Sequence, residues 1–384
     1  MSIYLDNAST VKPKEEVINA MMPYFIENWY NPSSLYSKAA DVKKDIELSK
    51  KKIADFINAD NNEIFFTSGG SESNCMAIDG FCKECIFNNE TFVVITTKIE
   101  HKSIMECIKN SLCGVLGVNE FIPVSENGFV ILSKLEEELE WYSVRSNKIL
   151  VSIQMANNEI GTIQNIKKIS ELVHKYNAVL HVDAVQSFGI IDIDVKELGI
   201  DMLSASGHKI GCPKGIGILY KNSKLNIQPL IYGSQMDGLR GGTECVPYII
   251  GMGKAVELCS QNMNQKRILL TDRREYMIKQ LVDNFGCKVN GDRVDRLPNN
   301  INVTFPQNIT GESLLYMLDL SKIYISTGSA CNSRSITPSY VLKSIGLTDE
   351  EAIKTIRISI SDDVTYKDID YVIDEIKKSI QLIS

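Results

Sequence analysis

The stretch VLHVDAVQS (179–187), followed by DMLSASGHK (201–209), decides how this 384-residue chain is read. Each begins as a short apolar run of strand length. Each breaks off at unusual polar residues: Asp183 and Gln186 in the first, Ser206, His208 and Lys209 in the second. The pattern recurs upstream. EIFF (63–66) runs into TSGGSES (67–73), VVITT (93–97) into Glu100-His101-Lys102, and LVSIQ (150–154) into Asn157-Asn158-Glu159. A further apolar run lies at 216–220. Between these runs fall helical patterns over 71–81, 102–112 and 165–176, the last with Ile166, Ile169, Leu172, Val173 and Tyr176 on one face. Strand and helix in alternation imply crossover units and a mostly parallel sheet covered on both faces. In such a sheet the C-terminal strand ends share one edge, where ligands bind, so five polar clusters there predict one pocket.

Outside this core, 39–57 predicts a helix carrying Val42, Ile46, Ile53, Phe56 and Ile57. After residue 260 the texture changes. Gln265 to Lys279 reads as a long helix, 300–305 and 322–327 as strands, and 366–382 as a final helix opened by Thr365 and Asp368 in a capping-box position. The expectation is an α/β chain with a large domain over 14–260. A smaller α+β domain is built from 1–13 and 261–384.

Composition bounds the function. Apolar residues at 44% and charged residues at 23% are ordinary globular usage, which excludes a disordered or fibrous chain. A net charge of −7 argues against a surface built to neutralise nucleic-acid phosphates. No apolar run reaches about 18 residues, so no membrane helix is expected. MSIYLDNAST has no basic leader, so the expected location is the cytosol. The ten cysteines follow no framework spacing. Cys82 and Cys85 form a CxxC without a second pair, since 107 and 113 are wrongly spaced, and packing is the expected role rather than metal.

Each cluster offers a piece of chemistry beside a plainer reading. Gly69-Gly70-Ser71 opens a helix, where free N–H groups attract an anion such as phosphate; it also reads as a tight turn capped by Ser71. Asp183 ends an apolar strand, where a carboxylate is costly without a cation or donor; it could hold a protonated ring nitrogen or cap a helix. Lys209 could have a lowered pKa and form a Schiff base, or be a surface turn lysine. His101 could stack on a ring and shuttle protons, or cap a helix. Together they are the parts that pyridoxal phosphate (PLP) needs.

SGGSES, EHKS, NNEIG, HVDAVQS, SGHKIGCPKGIG, RGGTE and STGSAC, in this order, resemble the cysteine desulfurases of the iron–sulfur assembly type. These are class V aminotransferase-like enzymes of PLP fold type I, and the resemblance runs from YLDNAST to the final helix. It implies that Lys209 carries the cofactor and moves protons at the substrate α-carbon. His101 would stack on the ring and act in acid–base steps, and Asp183 would bind the ring nitrogen. Gln186 and Asn158 would contact the phenolic oxygen and neighbouring groups. Gly70, Ser71, Ser206 and His208 would hold the phosphate, and Thr243 would reach the phosphate of a second subunit in a homodimer. Arg357 would fork onto the substrate carboxylate, near Asn158. Cys331, in a small-residue loop over about 326–340, would attack the sulfur of L-cysteine as a thiolate, helped by His101 or Arg334. The implied products are L-alanine and a persulfide on Cys331, passed to an acceptor protein such as an iron–sulfur scaffold.

Three departures from the family pattern stand out. Tyr36 replaces a frequent histidine, with little consequence expected. Asp362 stands where an arginine or another polar residue is frequent, which predicts altered substrate affinity near Arg357. The sequence stops at Ser384 where relatives run further, which predicts altered scaffold docking. A selenocysteine lyase or another class V PLP enzyme, and a non-catalytic sulfur-relay subunit, are the competing readings. A dinucleotide-binding loop lacks its G-x-G-x-x-G spacing.

Overall fold

The computed structural model describes residues 2–327 and 338–383. Its twelve strands are β1 (Ile3–Tyr4), β2 (Ile64–Thr67), β3 (Phe92–Thr97), β4 (Val118–Ile122), β5 (Lys148–Gln154), β6 (Val179–Asp183), β7 (Met202–Ser206), β8 (Gly217–Lys221), β9 (Lys288–Val289), β10 (Asn300–Thr304), β11 (Ile323–Tyr324) and β12 (Thr355–Ser359). Seven of them form one sheet in the order β2-β8-β7-β6-β5-β3-β4. Only β8 runs antiparallel to its neighbours.

Alternation along these strands sorts side chains to two faces. Phe66, Val93, Val151, Val182 and Leu203 join a core with Ile46 and Ile53 of the Ser37–Phe56 helix. Phe65, Val94, Leu150 and Met202 join a second core with Met76, Phe81 and Ile104 of the Gly70–Phe87 and Lys102–Asn110 helices. A sheet buried on both faces favours apolar residues at successive positions, which is why β2 and β3 read as nearly continuous runs. Cys82 and Cys85 are buried in that second core as packing residues.

A third core gathers β1, β10, β11 and β12 against the Gly311–Leu320 and Tyr366–Ile383 helices. One helix, Val246–Phe285, serves both halves. Its first turns place Val246, Ile249 and Met252 in the core beside the large sheet, and its last place Met277, Leu281 and Phe285 in the small one. Residue 260 lies inside it, so the chain passes between cores within continuous helix. Pro247 opens the helix and Gly286, at φ 68°, ends it in the left-handed conformation that glycine tolerates. The expected strand over 322–327 is shorter than its apolar pattern: only Ile323 and Tyr324 pair, with β1, and Ser326 then bridges to Arg357.

Two connections hold the halves together at the sheet's C-terminal edge. The segment after β1 threads between them: Asn7 donates to the Ser359 carbonyl at 2.8 Å, and the Val11 N–H donates to the His208 carbonyl at 3.0 Å. The second is Glu159. Its carbonyl accepts from Asn300 and Asn302 on β10, and its carboxyl accepts from the Ser339 hydroxyl at 2.5 Å.

Burial raises the Glu159 carboxyl from 4.5 to about 7, against the pull of Ser339, Arg357 and Lys102. Between those values the folded state keeps a proton that the unfolded chain has lost. Stability therefore falls as pH rises from 4.5 to 7. Glu159→Gln keeps an acceptor for Ser339 and removes this titration. Chemical unfolding at pH 5 and pH 7.5 should show a decline about 2 kcal/mol smaller in the variant. Equal declines in the two proteins would contradict this account of Glu159.

Candidate active site

The five polar clusters converge as the sequence pattern predicts. One pocket at the C-terminal edge is lined by Gly70 and Ser71 after β2, His101 after β3, Asn158 after β5, Asp183 and Gln186 after β6, and Ser206, His208 and Lys209 after β7. Thr243 and Arg357 do not line it. Thr243 is exposed and outside it. Arg357 is buried on β12 beside it. Cys331 and Arg334 lie outside the described residues.

Lys209 sits in a short turn that directly follows β7. Its Nζ donates to the carbonyls of Ala8 and of Ser9, the latter at 2.9 Å. Enclosure by protein lowers its pKa from 10.5 to about 8; Arg357 lowers it further, while Asp6 and Asp183 oppose. An amine in this state is unprotonated in a substantial fraction near neutrality, the condition for attack on an aldehyde. The turn lysine is therefore a pocket group rather than a surface one.

Asp183 is buried at the end of β6. Its Oδ1 accepts from the Val185 N–H at 2.9 Å and its Oδ2 from Asn74 Nδ2 at 2.9 Å. Asn74 also donates to Ser103 at 2.9 Å, and its own Oδ1 is buried with no partner among the described residues. A ligand with a donor at this wall would satisfy it. Asn74 is one helical turn beyond Gly70, so the SGGSESN spacing already places it on the pocket side. The sequence reading passed over it.

His101 is both a pocket residue and a cap. Its Nδ1 accepts from the Ser103 N–H at 3.1 Å and lies 2.8 Å from the Ser103 hydroxyl, opening the Lys102–Asn110 helix. The neutral ring therefore carries its proton on Nε2. The surrounding protein holds its pKa below the usual 6.5, with Lys209 and Lys102 adding to the effect and Asp183 opposing it. The neighbouring Glu100 turns away from the pocket. It is fully buried, accepts from Thr97 at 2.6 Å and from the Gln154 N–H at 2.8 Å, and burial pushes it up to about 8.

The Gly70–Phe87 helix begins at the pocket, and its N-cap, Gly69, has no side chain to satisfy the first-turn N–H groups. They face a cleft that suits an anion. Gly70 is required by packing: a Cβ there would stand 2.6 Å from Val185 Cγ2. His208 lies 3.2 Å from the Thr10 hydroxyl, and burial lowers its pKa to about 4, so it serves as a neutral donor or acceptor. Gln186 donates to the Ala8 carbonyl at 3.0 Å.

Arg357 donates to Asp6 at 2.7 Å, to Ser9 at 2.9 Å and to the Asn158 carbonyl at 3.1 Å, while its Nε is buried without a partner among the described residues. Asp362 pairs with Lys266 at 3.1 Å rather than with Arg357. The Asp6–Thr10 segment thus organises both cations. Its role was not read from DNAST, because small polar residues at a chain start carry no periodicity.

The arrangement is an anion cradle, a carboxylate, a neutral imidazole and a reactive amine around one pocket. The model of the Aminotransferase class-V family matches residues 3–372. The chain belongs to that family. A relative from Clostridium botulinum named "Cysteine desulfurase IscS" is 43% identical over 99% of this chain and 94% of its own length. Among solved structures, one titled "NIFS-LIKE PROTEIN" superimposes with a TM-score of 0.91 at 32% identity, covering 100% of both chains. Another, "SspA in complex with cysteine", reaches 0.81 at 34% identity, covering 94% of this chain and 99% of that one. These class-V likenesses, together with the parallel sheet, establish the PLP fold type I expected from the sequence.

A lysine with a pKa near 8 should react measurably in neutral buffer. Labelling of Lys209 by a neutral amine reagent, followed by peptide mass mapping, should rise about fivefold from pH 7 to 8 and level off above about 9. A surface lysine would keep rising about tenfold per pH unit through this range. Surface-like behaviour at Lys209 would show that its enclosure does not perturb it.

Proposed function

We propose that this chain is a PLP-dependent cysteine desulfurase that converts L-cysteine to L-alanine and leaves a persulfide on Cys331. The observation that carries the reading is the convergence of Lys209 and Asp183, from adjacent strands, on a pocket that begins at an uncapped helix. The curated relatives of that name and the cysteine-bound structural neighbour support it.

When bound, pyridoxal phosphate supplies an electron sink for bonds at an amino acid's α-carbon. Lys209 would hold the cofactor and exchange a proton with the substrate. Asp183, kept in place by Asn74 and the Val185 N–H, would accept the hydrogen of a protonated ring nitrogen. The first-turn N–H groups at Gly70 and Ser71, with Ser206 and His208, would bind phosphate. Gln186 and Asn158 would contact the ring's oxygen side. His101, neutral and fixed by Ser103, would cover the ring face and move a proton at Nε2. The unpartnered Nε of Arg357 is a donor left for a substrate carboxylate.

Ser326 exchanges backbone hydrogen bonds with Arg357, and Ser339 donates to Glu159. Arg357 in turn donates to the Asn158 carbonyl and Glu159 follows Asn158 in the chain, so Ser326 and Ser339 both connect to the wall of the pocket. The persulfide would pass to an acceptor protein for iron–sulfur cluster assembly or other sulfur trafficking. Thr243, exposed in this chain, would reach the phosphate of a second subunit. The expected location remains the cytoplasm, and the exposed Ile26, Trp29, Leu35 and Tyr232 support a homodimer. No helix among the described residues is long and apolar enough to cross a membrane.

The test is turnover of L-cysteine with a thiol reductant, measuring alanine and sulfide together. Cys331→Ala should lose at least about a hundredfold in both products and still take up the cofactor. Full sulfide release by that variant would exclude the proposed role of Cys331.

A further inference from the structure

Arg357 reaches the wall of the Lys209 pocket with its positive charge already answered. Asp6 Oδ1 accepts from its Nη2 at 2.7 Å, and the pair is enclosed: the arginine side chain is 4% exposed and the aspartate side chain 19%. Ser9 Oγ accepts from the same nitrogen at 2.9 Å, and the Asn158 carbonyl accepts from Nη1 at 3.1 Å. Both terminal nitrogens are thus engaged, and the buried Nε is left without a partner among the described residues. Ser9 and Asn158 themselves line the pocket, so the guanidinium lies one hydrogen bond behind its wall.

Asp6 is held in this position from both sides. It bridges to Ser359, two residues along β12 from Arg357. The Ser359 N–H donates to the Leu5 carbonyl at 2.7 Å, and the Tyr4 hydroxyl donates to the Asp6 carbonyl at 2.9 Å. Among the described residues no second carboxylate pairs with Arg357: Glu159 turns its carboxyl to Ser339, and Asp362 pairs with Lys266. Both charges of the pair reach the site, since Arg357 lowers the Lys209 pKa and Asp6 opposes it.

We propose that Asp6 is a positioning residue that sets how tightly the site holds an amino acid's carboxylate: it neutralises Arg357, so the substrate meets an ion pair rather than a free cation. The proposal rests on the desulfurase reading, in which Arg357 receives that carboxylate. A carboxylate on Nε shares the guanidinium with Asp6, and like charges brought that close in an enclosed site repel strongly. Attraction by the arginine and repulsion by the aspartate leave a moderate affinity. The consequence falls on release. L-Alanine carries the same carboxylate as L-cysteine, so an uncompensated buried arginine would hold product as firmly as substrate.

Removing only the charge separates this role from a scaffolding one. Asp6→Asn keeps an oxygen for Nη2 but leaves the arginine buried without its counter-charge. An incoming carboxylate then supplies the missing charge, and binding tightens. If Asp6 served only to aim the guanidinium, loss of its charge-assisted hydrogen bond would weaken binding instead. The sign of the change decides between them.

The test compares PLP-loaded Asp6→Asn with the unsubstituted protein. The product L-alanine is titrated while the visible absorbance of the cofactor is followed, and L-alaninamide, which lacks the carboxylate, is the control. The dissociation constant of L-alanine should fall about tenfold in the variant, and that of L-alaninamide should change by less than about twofold. The KM for L-cysteine should fall, and L-alanine should inhibit more strongly. Asp6→Ser, also uncharged, should shift the same way, whereas Asp6→Glu, which keeps the charge, should stay within about threefold of the parent. Unchanged or weaker L-alanine binding in the uncharged variants overturns the proposal, and so does equal tightening of L-alaninamide. An unsubstituted protein that takes up no cofactor and forms no alanine from L-cysteine defeats the desulfurase reading and this proposal together; a working desulfurase with the wrong sign defeats the proposal alone.

Discussion

Everything at the candidate site depends on keeping one lysine amine enclosed, close to neutral and aimed into a pocket. Lys209 achieves this because its turn follows directly on β7, a strand flanked by β6 and β8 in the sheet. The carbonyls of Ala8 and Ser9 then give the amine partners that water would otherwise supply. Carbonyl oxygens satisfy the donors without adding a full negative charge. Burial therefore dominates, and the pKa falls rather than rises. An aspartate in place of those carbonyls would have locked the lysine as an ammonium.

That constraint explains the otherwise odd course of the N-terminus. The chain leaves β1 in the small core and crosses to the edge of the large sheet, where its residues serve Lys209, His208 and Arg357. The pocket is consequently shared between the two cores, and the Val246–Phe285 helix fixes the distance between them. A break in that helix would be felt at Arg357 before it was felt at Asp183, whose partners all come from the large sheet and its helices.

Much of the fold was legible because a doubly covered parallel sheet leaves an unmistakable imprint: continuous apolar runs that stop at polar residues. The runs containing Val94, Val151, Val182 and Ala205 each became a strand, and the clusters behind them met as expected. β4 was missed because it is an edge strand whose residues Asn119 and Glu120 are only partly buried, so no apolar run marks it. The long helix was clipped at its N-terminal end because Gly251 and Gly253, which interrupt the pattern, are there for close packing against Met21 and Ser49. The site residues that escaped notice act through hydrogen bonds rather than charge. Ser103 and the backbone of Ala8 have no signature a single sequence displays, and Asn74 shows only its spacing of one helical turn from Gly70. The Glu159–Ser339 bond joins residues 180 positions apart, which no local pattern can announce.

The most direct measurement is to load the protein with pyridoxal phosphate, reduce it with borohydride and map the lysine that carries the pyridoxyl group. The account predicts a single modified residue, Lys209, with loss of the label in Lys209→Ala. A label spread over surface lysines, or none at all, would contradict it.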